Sequence, residues 1–211
     1  MPGFYVIGTG PGHKDYVLPK AIQCIKDAEV LLGSPRLLEM YREEHHKQLV
    51  PLKGSIKELL NSLDTLAEEY NCALLVTGDP GYHSLLKRVR KRFSPEQYRV
   101  IPGISAYQVA CSHLGIEWQD MDLVSCHGQS LTSQAQNLNI QKGAIFLTDP
   151  KNTPHNISQE LLKKGWENVS VWLCKDISLA TEEYTLYRLN NIPELKDNKL
   201  CIMILLPVST G

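Results

Sequence analysis

No two of the six cysteines in this chain lie within ten residues of one another. That spacing removes the CxxC pairs used for zinc and for dithiol redox chemistry. Most of them, at 24, 72, 111, 126, 174 and 201, sit in apolar runs, where a free thiol behaves as a small buried hydrophobe. Cys111 with His113, and Cys126 with His127, are the only close Cys/His neighbours. A zinc site needs four convergent ligands, so no metal is expected. An excess of one charge is also missing. The net charge of -1 offers no global basic surface for nucleic acid. Long apolar runs are absent too. Stretches such as 201–207 are far too short to span a bilayer, and no membrane association is expected. A strand pattern begins at Phe4 with no leader-like segment before it, which points to a cytoplasmic protein. There is no P-loop lysine motif, no Ser-His-Asp order and no paired catalytic carboxylate signature.

What is present is alternation. Strand patterns at 4–8, 29–33, 72–77 and 98–101 are separated by helical patterns at 19–28, 35–44, 55–70 and 82–93, with another helix at 104–114. The 55–70 segment repeats apolar residues at helical spacing through Ile56, Leu59, Leu60, Leu63, Leu66 and Ala67. Strands joined by helical crossovers imply an α/β fold with a mostly parallel sheet. After Gly115 the pattern changes. Strands are expected at 123–126, 144–148, 169–174, 183–189 and 200–206, with one helix at 154–164. Only a short polar connection separates the last two strands, which favours antiparallel neighbours. Two α/β domains are therefore expected, 1–114 and 115–211.

Four small-residue loops follow strand patterns. The most informative is Thr77-Gly78-Asp79-Pro80-Gly81, which ends a buried strand. Ligands of open α/β sheets bind beyond the carboxyl ends of strands, and glycine lets backbone approach them closely. A tight strand-to-helix turn is the competing reading. Gly8-Thr9-Gly10-Pro11-Gly12 looks like a dinucleotide fingerprint but places His13 where the third glycine belongs. It is either a plain turn or a loop that leaves room for something large. Pro102-Gly103-Ile104-Ser105-Ala106 opens a helix, with Ser105 as a cap or as a ligand contact. Ser125-Cys126-His127-Gly128 ends a strand, and His127 either faces a cleft or is structural. Lys87, Arg88, Arg90, Lys91 and Arg92 form a basic run that is a solvated face or a steering patch for an anion.

In this order and spacing the four loops resemble the tetrapyrrole methylase family of S-adenosylmethionine-dependent methyltransferases, over residues 5–206. Within the family the resemblance is strongest to the branch that methylates C-5 of precorrin-7 or its cobalt form. It is carried by Leu32-Gly33-Ser34-Pro35-Arg36, the TGDPGYHSLL block, Gly103 to Gln108, and Leu147-Thr148-Asp149 with Asn152-Thr153-Pro154. The resemblance implies two α/β domains with the active site in the cleft between them. S-adenosyl-L-methionine would be bound by Gly78, Asp79, Tyr82, His83, Ser105 and Ala106, with Leu147, Thr148, Leu173 and Cys174 closing the pocket. The precorrin would meet Gly8, Thr9, Gly10, Pro11, Gly12 and Arg36. His127 and His13 are candidates for proton movement.

Two positions depart from the pattern. Gln129 replaces an arginine common after His-Gly, and 176–183 matches the usual stretch before a glutamate only loosely. A homodimer is implied, and a separate partner would carry out the C-15 methylation and decarboxylation. Other readings are a methylase of the same family acting on ribosomal RNA or in the diphthamide pathway, and a non-catalytic corrinoid-binding module.

Overall fold

The computed structural model describes residues 3–43, 45–126, 138–194 and 201–207. The chain forms two compact units, Met1–Ser105 and Ala106–Gly211. The division falls ahead of the helix that the sequence reading gave to the first domain. That helix packs on the sheet of the second unit instead.

The first unit is a five-stranded sheet in the order β3-β2-β4-β1-β5. Its strands are β1 (Phe4–Gly8), β2 (Val30–Gly33), β3 (Gln48–Pro51), β4 (Cys72–Val76) and β5 (Tyr98–Ile101). Every pairing is parallel, as the alternating pattern requires. Helices α1 (Pro19–Asp27), α2 (Pro35–Glu39), α3 (Ile56–Leu66) and α4 (Leu86–Arg92) connect them. Proline opens α1 and α2, and Ser55 with Glu58 forms a reciprocal capping box on α3. One core contains Ile7, Ala21, Ile25, Leu31 and Leu75, and the other contains Phe4, Val6, Leu32, Leu63 and Leu74. Alternate residues of β1, β2 and β4 thus serve opposite faces, so both faces of the sheet are covered.

Three local expectations needed correction. β3 was missed because a four-residue edge strand with Gln48 and Pro51 carries little pattern. The helix expected over 35–44 stops after Glu39, and the one expected over 82–93 starts only at Leu86. At the latter, His83 adopts a φ of +48°, which a helix cannot contain.

The second unit has a sheet in the order β6-β7-β10-β8-β9. Its strands are β6 (Asp122–Ser125), β7 (Ala144–Leu147), β8 (Ser170–Lys175), β9 (Glu183–Arg188) and β10 (Cys201–Leu205). Helices α5 (Ala106–Leu114) and α6 (Pro154–Leu162) accompany it. The expected pairing of the last two strands is not observed. β9 and β10 lie on opposite sides of β8, each antiparallel to it. Burial explains the choice: β10 is buried along its whole length and takes a central place, while β9 buries none of its residues fully and takes the edge.

Candidate active site

Because the first sheet is parallel, the ends of β1, β2, β4 and β5 share one edge, and the glycine loops meet there. Gly10 and Gly78 form an isolated antiparallel bridge, with Gly78 N–H donating to the Gly10 carbonyl at 2.8 Å. Thr9 is buried and donates both its N–H (2.9 Å) and its hydroxyl (3.0 Å) to the Val76 carbonyl. Its hydroxyl therefore holds the loop. A Cβ on Gly8 would lie 2.6 Å from both the Gly78 carbonyl oxygen and the Gly103 nitrogen. A Cβ on Gly103 would overlap that same Gly78 oxygen. The first demand on these glycines is thus the packing of three loops on one another. Pro11 is buried beside them, and Gly12 is half-buried.

Asp79 is the tie between two of the loops. Its Oδ1 accepts from Gly81 N–H at 2.8 Å and its Oδ2 accepts from Gly103 N–H at 3.1 Å. A carboxylate offers about four acceptor positions, so the Asp79 oxygens can still receive a further donor. Tyr82 and His83 make an edge-to-face pair with centroids 4.7 Å apart, and Ser105 is buried, its hydroxyl 3.9 Å from where a Gly78 Cβ would stand. Arg36 is exposed in the first turn of α2, beyond the end of β2 and so on the same edge. His13 is exposed, and its Nδ1 accepts from Asp15 N–H at 3.3 Å. That ring nitrogen caps a short turn, which weakens His13 as a general base. His127 and Gln129 lie outside the described residues.

The C-terminal end of the basic run lies elsewhere. Arg92 hydrogen-bonds Asn61 and Asp64 of α3, the latter at 2.8 Å. The adjoining Phe93 packs on Phe4, the first residue of β1, with centroids 4.9 Å apart. The end of α4 therefore lies at the opposite edge of the sheet from the glycine loops.

In the second unit β6, β7 and β8 end on one edge. Thr148 is buried there. Its hydroxyl donates to the Cys201 carbonyl at 2.8 Å and accepts from Cys201 N–H at 3.0 Å. Leu147 is half-buried. Leu173 and Cys174 are wholly buried and paired on both sides, to β10 and β9. Burial, with smaller contributions from Cys201 and Cys111, drives the Cys174 thiol far above its ordinary range, so it is no nucleophile. Ala106 begins α5. Just beyond β8, Asp176 and Ser178 take φ values of +46° and +70°. Such strain in non-glycine residues concentrates at functional sites. The sequence reading assigned no role to Asp149 and Asn152. The structure joins them at this edge, and the D-x-x-N spacing ahead of a Thr-Pro helix start was the available signal. Among the described residues, no group of three or more His, Cys, Asp or Glu side chains is placed to hold a metal ion. No helix among the described residues is long and apolar enough to cross a membrane.

Two α/β units with loops gathered at the carboxyl ends of their strands agree with a family match over most of the chain. Residues 3–193 match the family of Tetrapyrrole (Corrin/Porphyrin) Methylases, and the chain belongs to it. It is similar to the probable cobalt-precorrin-7 C(5)-methyltransferase of Methanocaldococcus jannaschii, with 30% identity over 199 residues that cover 89% of this chain and 90% of that one. It is also similar to the cobalt-precorrin-7 C(5)-methyltransferase of Salmonella typhimurium, with 32% identity covering 76% of this chain and 78% of the relative. The crystal structure of a cobalamin-biosynthesis precorrin-6Y methylase from Archaeoglobus fulgidus has the same fold. Its TM-score is 0.75 at 21% identity, covering 98% of both chains.

Proposed function

We propose that this protein transfers the methyl group of S-adenosylmethionine to C-5 of precorrin-7, with or without cobalt, in cobalamin biosynthesis. The observation that carries the reading is its 30% identity, over nearly the whole of both chains, to a relative named for that reaction. The edge of the first unit fits such a donor. It is built of backbone turns with small side chains and one carboxylate, and the aromatic pair of Tyr82 and His83 stands beside them. Gly78, Asp79, Tyr82, His83, Ser105 and Ala106 are assigned to the donor. Leu147 and Thr148 are assigned to it from the second unit, with Leu173 and Cys174 supporting that edge from the core. The loop Gly8, Thr9, Gly10, Pro11 and Gly12, with Arg36, is assigned to the tetrapyrrole.

When bound, S-adenosylmethionine supplies a methyl group already activated by its sulfonium. The work of the chain is to hold donor and acceptor in line, and alignment of that kind lowers a barrier by about 7 kcal/mol or more. The rigid mutual packing of the glycine loops suits positioning, and no strong base is needed. The reading also carries a cytoplasmic homodimer. It is tested by incubating the protein with labelled donor and a panel of tetrapyrroles. Label is expected in precorrin-7 or its cobalt form. Label only in earlier intermediates would refute the assignment.

A further inference from the structure

Asp149 and Asn152 close a small network just past the end of β7. Asp149 Oδ1 accepts from Lys151 N–H at 2.8 Å and from Asn152 N–H at 2.7 Å. Its Oδ2 accepts from Asn152 Nδ2 at 3.0 Å. The same Nδ2 donates to the Cys126 carbonyl, also at 3.0 Å. A primary amide has two hydrogens, and both are spent here. Cys126 N–H in turn donates to the Leu147 carbonyl at 3.0 Å. The end of β6 is therefore fastened to β7 twice, once by the strand ladder and once by a side chain. Asn156 Nδ2 donates to the Lys151 carbonyl at 2.8 Å and closes the turn from its other side. Asp149 and Asn152 are half-buried and Cys126 is buried, so water competes weakly for these bonds.

We propose that Asn152 is a positioning residue for methyl transfer: it sets the spacing of the β6 and β7 ends and so places the backbone at Leu147 and Thr148 that receives the donor. This rests on the proposed function, since the second unit's edge matters to catalysis only if the donor meets it. Asparagine is required because the bridge needs two N–H donors, one toward a carboxylate and one toward a carbonyl. Aspartate would turn a charge toward both acceptors, and alanine would leave the Cys126 carbonyl without this partner.

The test compares wild type, Asn152→Ala, Asn152→Asp and the exchanged pair Asp149→Asn/Asn152→Asp. S-adenosylmethionine affinity is read by calorimetry, with kcat, KM and melting temperature alongside. In Asn152→Ala, loss of both amide bonds at the donor edge is expected to raise the donor KM about tenfold. The kcat is expected to stay within about threefold, because the transition-state contacts are retained. The exchanged pair rebuilds the local Asp–Asn contact but faces Cys126 with a carboxylate. It is expected to recover part of the melting temperature lost in Asn152→Asp and none of the donor KM. A donor KM for Asn152→Ala within about twofold of wild type would overturn the proposal, as would full recovery of donor KM in the exchanged pair. If wild type binds the donor but methylates no precorrin-7, the functional reading fails, while the affinity comparison still decides the role of Asn152.

Discussion

The carboxylate of Asp79 and the amide of Gly103 are joined at 3.1 Å, although one follows β4 and the other β5. Between those strands runs β1, whose Gly8 touches both loops. One side chain thus fixes two strand-end loops across a third, at the edge where a parallel sheet receives ligands.

Replacing Asp79 by alanine leaves the amides of Gly81 and Gly103 without their acceptor. A loss of about 1 kcal/mol in stability is expected, chiefly from the part-buried Gly103 donor, since water reaches the exposed Gly81 amide. Donor affinity should fall with it. Asparagine keeps one acceptor oxygen and should fall between the two. Calorimetric titration with S-adenosylmethionine checks this, and unchanged affinity in Asp79→Ala would remove Asp79 from the site.

Gly103→Ala should be costly for a different reason. The new methyl group meets the Gly78 carbonyl and the Gly8 backbone, neither of which can yield like a flexible side chain. Overpacking of this kind costs about 1–3 kcal/mol or more. In a protein of this size each kcal/mol lowers the melting temperature by about 2–4 °C. Gly115→Ala is the control. Its Cβ would meet nothing within 4 Å, and only its φ of +64° opposes the change. About 1 kcal/mol is expected there.

The thiols give a pH dependence with a definite sign. Burial, aided by Glu29, raises Cys72 from 9.0 to about 11. Burial alone raises Cys111 to about 11, and burial with Asp149 raises Cys126 to about 12. In the unfolded chain these groups lose their protons first, so the folded state binds more protons above pH 9. Their contribution to stability is complete below pH 9 and falls as pH rises from 9 toward 11 and 12. The urea midpoint should decline across that window. All six cysteines are buried, so a disulfide reagent at neutral pH should react slowly with the native protein and fully in denaturant.

Neutralising Arg90 and Lys91 together should leave the substrate KM and its salt dependence unchanged, since the C-terminal end of α4 lies away from the glycine loops. Arg36→Ala should raise the substrate KM, with kcat little affected. Steady-state kinetics at two salt concentrations separates the two patches. A rise in KM from the α4 variant alone would reverse the assignment.

The sequence showed the parallel first unit well, because buried strands such as Cys72–Val76 alternate with long amphipathic helices. It failed where pattern is weak or geometry is non-local. β3 has no alternation to read. The place of β10 between β7 and β8 depends on which strand is most buried across the whole sheet, and a short connection to β9 pointed the wrong way. At the site, the small residues were visible, but their reason was not. Gly8, Gly78 and Gly103 looked like room for a ligand, but Gly8 and Gly103 first make room for the Gly78 carbonyl, and Gly78 itself holds a φ of +68°. The hydrogen bonds of Thr9 and Asn152 span strands and could be seen only once those strands were paired.

The most direct test of the account is to incubate the protein with precorrin-7 and S-adenosylmethionine carrying a 13C methyl group, and to read the product by NMR. The account predicts a single new methyl resonance coupled to C-5 of the macrocycle, with S-adenosylhomocysteine formed in equal amount. A methyl group at any other carbon, or donor binding with no transfer to precorrin-7 or its cobalt form, would contradict it.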